Sequence, residues 1–194
     1  MTLNLKNLLN PKIKISKMGE FQELKLIEGL EISSISADLY GDGRDDLTLF
    51  YFPEGANFGA IYTTSKVTSA SINWNLKLKR HFVKGLLINT KNANTFTGIK
   101  GAQGLKEIAQ TLSKFLTLKS SQSPKGVKDI IKMTDLLFAS TGVIGEEFPY
   151  LKIKNSINEL VKKLRSEQNK YVWFKAASAI MTTDTRPKVA YEEC

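Results

Sequence analysis

Three stretches of this 194-residue chain gather side chains that could do chemistry, and each follows an apolar run. The first is LLINTKNANTFTG, Leu86 to Gly98, which carries Asn89, Asn92 and Asn94 among threonines. An amide both donates and accepts hydrogen bonds, and Asn tolerates left-handed backbone. Such residues could line a substrate loop or satisfy one another in an Asx-rich turn, and spacing alone favours the turn. The second is FASTGVIGEEFP, Phe138 to Pro149, where an apolar run ends in Ser140-Thr141-Gly142. Glycine lets backbone N–H groups approach a substrate closely, and a threonine hydroxyl beside it adds another donor. Two such donors could hold a developing oxyanion; taken alone, the residues favour a tight turn. The third is AIMTTDTRPK, Ala179 to Lys188, with Thr182, Thr183, Asp184 and Thr185 at a predicted helix end. Hydroxyls and a carboxylate there could grip an amino acid, or simply make a loop polar.

Other candidates are weaker. DLYGDGRDD, Asp38 to Asp46, has the look of a calcium loop. Its third position is Tyr40, however, and no bidentate Glu follows at the required distance, so a hairpin turn with solvated acids is the better reading. His81 and Cys194 are each single and far apart, which argues against a His/Cys metal site. No metal and no resident cofactor is expected.

Composition narrows the class. Hydrophobic residues make up 42% of the chain, as in an ordinary globular protein. The net charge of +9 comes mostly from lysines dispersed among acids such as Glu107, Asp129 and Glu159, with arginine only at 44, 80, 165 and 186. Nucleic-acid recognition favours clustered, Arg-bearing stripes, so no nucleic-acid partner is expected. No apolar run approaches the roughly 18 residues of a membrane span, so none with a membrane is expected either. One terminal cysteine excludes an internal disulfide. The start shows no apolar secretory core, and a cytosolic location follows by default.

The elements that would position these loops read as a mixture of α and β, an α/β (or α+β) single domain over residues 1–194. Residues 1–18 read as an irregular arm. From Leu24 to Val67 the pattern predicts strands in ISSISADLY, LTLFYF and FGAIYTT, with turns at Gly41-Asp42-Gly43 and Pro53-Glu54-Gly55. KGLLIN and DLLFA predict two buried strands, each feeding one of the polar loops. Leu105, Ile108, Ala109, Leu112, Phe115 and Leu116 predict a helix from about Gly101 to Leu118. Pro149 opens a second helix carrying Ile153, Ile157, Leu160, Val161 and Leu164. A third runs from about Lys170 to Met181, and Pro187 blocks its continuation.

Taken together and in order, GAIYTTSKV, LLINTKNANTFTG, ASTGVIGEEFP and AIMTTDTRPK resemble the α portion of the bifunctional ornithine acetyltransferases, over about residues 24 to 190. The resemblance implies part of a four-layer αββα sandwich of the type shared with DmpA-like proteins. It implies a precursor that cuts itself between an Ala and a Thr, the Thr becoming the N-terminal nucleophile of a β chain. That Thr takes acetyl from acetylornithine, with acetyl-CoA a possible second donor, and passes it to glutamate in arginine biosynthesis. An α2β2 assembly is implied. The oxyanion hole maps to Thr141 and Gly142, the substrate-binding Thr to Thr182, and the Asn89, Asn92, Asn94 loop is a possible substrate loop. Alternatives are an N-terminal-nucleophile aminopeptidase or hydrolase on the same fold, or a non-catalytic basic binding module. Two departures stand out. The family loop reads Asn-Ser-Gly-Asn-Ala-Asn, and here Thr90-Lys91 replaces Ser-Gly. The chain also stops at Cys194, before the family's Lys-Gly-Ser-Gly segment and cleavage point, so it is expected to be silent alone.

Overall fold

The computed structural model describes residues 24–122 and 129–191; the arm predicted for residues 1–18 and Cys194 lie outside them. The chain builds β1 (Glu31–Ile35), β2 (Leu47–Asn57), α1 (Ala70–Asn75), β3 (Phe82–Asn89), α2 (Gly98–Ser121), β4 (Leu136–Ser140), α3 (Tyr150–Lys162) and α4 (Lys170–Ala179). The strands form one sheet in the order β1-β2-β3-β4. β1, β2 and β3 pair antiparallel, whereas β3 and β4 are parallel. A parallel pair needs a long crossover, and α2 supplies it.

Side chains alternate between the two faces of a strand, and the registers fix which residues share a face. Ile35, Leu47, Leu49, Tyr51, Leu87, Leu136 and Phe138 share one face. They form the main core with Leu105, Ile108, Leu112 and Leu116 of α2 and Ile153, Ile157 and Leu160 of α3. The predicted helical stripes are therefore what this face buries. On the opposite face α4 covers only the β1–β2 side, where Val172, Trp173 and Ala176 pack on Ile32, Phe50 and Phe52. Leu86, Ile88, Leu137 and Ala139, on the β3–β4 side of that face, stay half-buried. The described chain thus contains one sheet with a full helical layer on one side and a partial one on the other.

Each outer strand is engaged at part of its edge. On β4, the Asn75 amide donates to the Phe138 carbonyl (2.9 Å) and accepts from its N–H (3.1 Å), imitating a neighbouring strand. Trp74 Nε1 donates to the Leu136 carbonyl at 3.0 Å. On β1, Ile32 and Arg165 exchange two backbone bonds of 3.0 and 3.2 Å. Unpaired edges are templates for association; here a side-chain amide on β4 and an isolated backbone bridge on β1 take up part of each.

Several expectations are corrected. Pro53-Glu54-Gly55 is not a turn between strands but lies within β2, where the register shifts between Tyr51 and Ala56. Gly55 (φ +84) is needed there, since a Cβ would sit 2.0 Å from the Phe82 ring. FGAIYTT is not a strand. Residues 58–65 carry no regular structure and Ile61 is fully exposed, because no described strand lies beside them to pair. Helix α1 was not predicted: six residues are too few for a periodic signal, and its hold on β4 comes from Trp74 and Asn75 side chains. α2 extends about three residues beyond the predicted span at each end, and α4 ends two residues earlier.

The β1–β2 connection is tied by Asp46, whose side chain is fully buried. Its two carboxylate oxygens accept from the N–H groups of Ala37 and Leu39, both at 2.6 Å. Burial pushes this carboxyl above its ordinary value, outweighing the two N–H groups that pull it down. A carboxyl raised in the folded state contributes fully below its unfolded pKa of about 3.9 and loses contribution as pH rises through the folded value. Replacing Asp46 by Ala orphans two buried donors and should destabilise the protein by about 2 kcal/mol or more. The stability gap between Asp46→Ala and the unmodified protein should narrow as pH rises from about 3.5 toward neutrality. Urea unfolding across that range checks both; a gap that widens with pH contradicts the assignment.

Candidate active site

Because β3 and β4 are parallel, both end on the same side of the sheet, with Asn89 opposite Ser140. The two polar loops begin there and continue the ladder past the strands. Thr141 N–H donates to the Asn89 carbonyl (3.0 Å), Val143 N–H to the Lys91 carbonyl (2.9 Å), Ala93 N–H to the Val143 carbonyl (3.0 Å) and Gly145 N–H to the Thr95 carbonyl (2.9 Å). The loops are therefore one zipped unit.

The amides of the Asn loop hold this unit together. Asn89 Oδ1 accepts from the Ser140 hydroxyl at 2.7 Å, and its Nδ2 donates to the Asn92 carbonyl at 2.9 Å. Asn92 Oδ1 accepts from the Asn94 N–H, and its Nδ2 reaches the carbonyls of Glu146 and Glu147 in the other loop. Asn94 accepts from the Thr97 hydroxyl and donates to the Gly101 carbonyl. All three are buried. Their side chains thus form the internally bonded turn that spacing favoured, and their polar atoms face the protein.

Gly142 sits where only glycine fits. Its φ is +137, and a Cβ would lie 2.2 Å from the Lys91 carbonyl carbon. Its own N–H meets no internal acceptor among the described residues, and it is exposed. Thr141 has committed its N–H to Asn89, so the donor it retains is the half-buried hydroxyl. A hydroxyl and an adjacent N–H, side by side at the end of a buried strand, can both donate to one oxygen.

Lys91 lies against this pair and carries a conformation that L side chains rarely adopt, φ +73. Left-handed backbone costs a non-glycine residue about 1–2 kcal/mol. Asn94 and Phe96 are also left-handed, so the loop concentrates strain. Thr90, beside Lys91, is locked inward: its N–H and hydroxyl both reach the Asp46 carbonyl, at 3.0 and 3.2 Å.

Thr182 follows the end of α4. That helix begins just after Gln168, which binds the backbone of Ile27 and Leu30 ahead of β1. It reaches with Lys175 to Asp45, just ahead of β2, at 3.1 Å. It therefore runs toward the end of the sheet where Asn89 and Ser140 lie, which puts half-buried Thr182 toward the same end as Thr141. Thr183, Asp184 and Thr185 are exposed, and Asp184 pairs with Lys188. His81 precedes β3 at the opposite end, against Phe58 with ring centroids 5.6 Å apart. Asp38–Asp46 forms the turn held by Asp46, and its exposed Asp38 binds Lys152 at 3.1 Å. Sequence reasoning missed Asp46 as the anchor of Thr90 and missed Ser71, whose hydroxyl lies 2.8 Å from that of Ser140. Nothing local marks either, since both act on residues far along the chain.

Among the described residues no helix is long and apolar enough to cross a membrane. The sequence profile of the ArgJ family matches residues 31–194. The arginine biosynthesis bifunctional protein ArgJ of Bartonella quintana is 33% identical over 181 residues, covering 92% of this chain and 40% of the relative. Its counterpart from Nitrobacter winogradskyi is 36% identical over 173 residues, covering 87% and 37%. The chain thus spans about 40% of the length of the curated relatives it matches. Among solved structures, the ornithine acetyltransferase of Mycobacterium tuberculosis complexed with ornithine superposes with a TM-score of 0.71 at 23% identity, covering 81% of this chain and 77% of that one. The mixed α/β architecture with its four-stranded sheet is the fold of that enzyme, and on the family profile and these relatives the chain belongs to the ArgJ family.

Proposed function

We propose that this chain is the α portion of an acetyltransferase that moves acetyl from acetylornithine to glutamate in the cytosol, with an N-terminal Thr from the remainder of its precursor as nucleophile. The observation that carries the reading is the half-buried Thr141 with its free hydroxyl next to the exposed, unbonded Gly142 N–H, with no nucleophile beside them among the described residues. The serine at hand, Ser140, donates its hydroxyl to Asn89 Oδ1 and lies 2.8 Å from the Ser71 hydroxyl, and the single histidine is a strand's length away. Two further facts support it. The chain covers 40% of a curated relative but 77% of a chain in a solved structure of the same fold. The half-buried Leu86, Ile88, Leu137 and Ala139 offer a sheet face on which a second sheet can pack. That second sheet would come from the β portion, in an α2β2 assembly.

In this mechanism the Thr hydroxyl attacks the acetyl carbonyl of acetylornithine. Negative charge develops on the carbonyl oxygen, and the Thr141 hydroxyl and Gly142 N–H donate to it. Collapse expels the ornithine amine and leaves an acetyl-Thr ester. The α-amine of the nucleophilic Thr, with an ordinary pKa near 8, takes the hydroxyl proton on attack and passes it to the departing ornithine amine. The glutamate amine then attacks the ester through the same oxyanion, and its proton goes by way of that α-amine to the Thr oxygen. Cleavage of the ester C–O bond releases acetylglutamate and the free Thr hydroxyl. Thr182 holds the amino-acid part of the substrate.

The test is expression with the remainder of the reading frame. Mass spectrometry should find two chains, the second beginning with Thr, and acetyl should pass from acetylornithine to glutamate. The 194-residue chain alone should give no transfer; robust activity from it would mean that a nucleophile lies within it. In the complete protein Thr141→Val should keep the fold and lower kcat roughly 100-fold with little change in KM. An unmodified kcat would remove Thr141 from the site. Thr182→Val should instead raise KM for acetylornithine, and an unchanged KM would exclude its substrate role.

A further inference from the structure

Helix α1 is only six residues long, and a helix this short is marginal in water by itself. Polar bonds to the strand and loops of the site hold it. Trp74 and Asn75, in its last turn, fasten it to the backbone of β4. Its first turn grips both loops. Ala70 N–H donates to the Asn94 carbonyl at 2.9 Å, and the next residue, Ser71, lies 2.8 Å from Ser140, hydroxyl to hydroxyl. Two consecutive residues of one helix thus hold the Asn loop and the residue that opens the Ser-Thr-Gly loop.

The direction of the Ser71–Ser140 bond follows by elimination. The Ser140 hydroxyl has one proton. Asn89 Oδ1, 2.7 Å from it, can only accept, and Nδ2 of the same amide is spent on the Asn92 and Thr90 carbonyls at 2.9 and 3.2 Å. The Ser140 proton therefore goes to Asn89, and Ser71 donates to Ser140. The chain of bonds from Ser71 through Ser140 and Asn89 to Asn92 runs one way. Ser71 is 2% exposed, so its hydroxyl depends on a protein partner. A buried hydroxyl is unfavourable unless bonded, and alanine would suit the helix better. What the serine supplies is the bond to Ser140.

We infer that Ser71 is a positioning residue for the oxyanion donors, acting through Ser140. This rests on the acetyl-transfer reading above. Ser140 directly precedes Thr141, and the Asn89 carbonyl accepts Thr141 N–H at 3.0 Å. The residue that Ser140 bonds with its side chain is thus the one that Thr141 bonds with its backbone. Ser71 closes this arrangement from a third side. Without its proton the Ser140 oxygen loses its donor, and the point from which Thr141 and Gly142 depart is held less firmly. Oxyanion donors act only at the right distance from the developing charge. Looseness there lowers turnover and leaves the grip on the substrate, assigned to Thr182, as it was. Ser71 itself touches no substrate.

The experiment uses the complete protein. Ser71→Ala suits the helix and removes only the donor, so the thermal midpoint should hardly move. Its kcat for transfer from acetylornithine to glutamate should fall about fivefold, the effect of one lost hydrogen bond, with KM for acetylornithine unchanged. Ser71→Cys, a weaker donor of similar size, should lie between. Because Ser71 acts through Ser140, adding Ser71→Ala to Ser140→Ala should lower kcat no further, whereas a merely structural serine would add its full loss. An unchanged kcat in Ser71→Ala, a KM that rises as kcat falls, or additive losses in the pair overturn the inference while leaving the transferase reading intact. If the unmodified protein transfers no acetyl, the transferase reading fails, and amide hydrogen exchange decides this one. Faster exchange over residues 139–145 in Ser71→Ala, with α3 unchanged, upholds Ser71 as the hold on the donors, and equal rates overturn it.

Discussion

The parallel pairing of β3 with β4 is the constraint on which the rest of the structure depends. Two antiparallel strands would have sent their loops to opposite ends of the sheet. The parallel register sets Asn89 opposite Ser140, so two segments some fifty residues apart in sequence emerge side by side. The ladder does not stop with the strands, because bonds from Thr141, Val143 and Gly145 carry it into the loops. The absence of a side chain at Gly142 lets the two backbones close. Any movement of Lys91 therefore moves the donors of Thr141 and Gly142 with it.

Much of this was legible in the sequence wherever a signal is local. KGLLIN and DLLFA are short apolar runs ending in polar residues, and both are buried strands feeding loops. The stripes of α2 and α3 follow the 3.6-residue period because one face of each meets the sheet. The turn character of the Asn loop was legible too, since its amides bond to positions two, three and seven residues away as well as across to the other loop. What could not be read depends on partners distant along the chain. FGAIYTT has strand composition but no described neighbour. PEG has turn composition, yet β2 absorbs it as an irregularity because β3 continues alongside. Asn75 acts as a strand mimic only because Phe138 lies beside it, and Asp46 becomes an anchor only once Thr90 is brought to its carbonyl.

The two faces of the sheet differ in a way that composition does not show. One meets α2 and α3 and is closed. The other is closed by α4 over β1 and β2 but leaves the apolar residues of β3 and β4 half-buried. Those are the two strands that carry the polar loops, so the open part of the face and the donor pair belong to the same half of the molecule. A layer placed on Leu86, Ile88, Leu137 and Ala139 would also come close to Thr141, which follows β4 directly.

The partly engaged edges of the sheet bear on where another layer could meet it. A sheet with a free border can enlarge sideways, strand by strand, into a continuous ribbon. Asn75 engages β4 at Phe138 and Arg165 engages β1 at Ile32, so an added strand would have to displace those bonds on either side. The other direction is perpendicular, one layer laid upon another at the roughly 10 Å spacing of stacked sheets. Among the described residues, then, the broad apolar area left open lies on the face of β3 and β4 rather than along the borders, and a layer laid on that face would meet side chains rather than backbone.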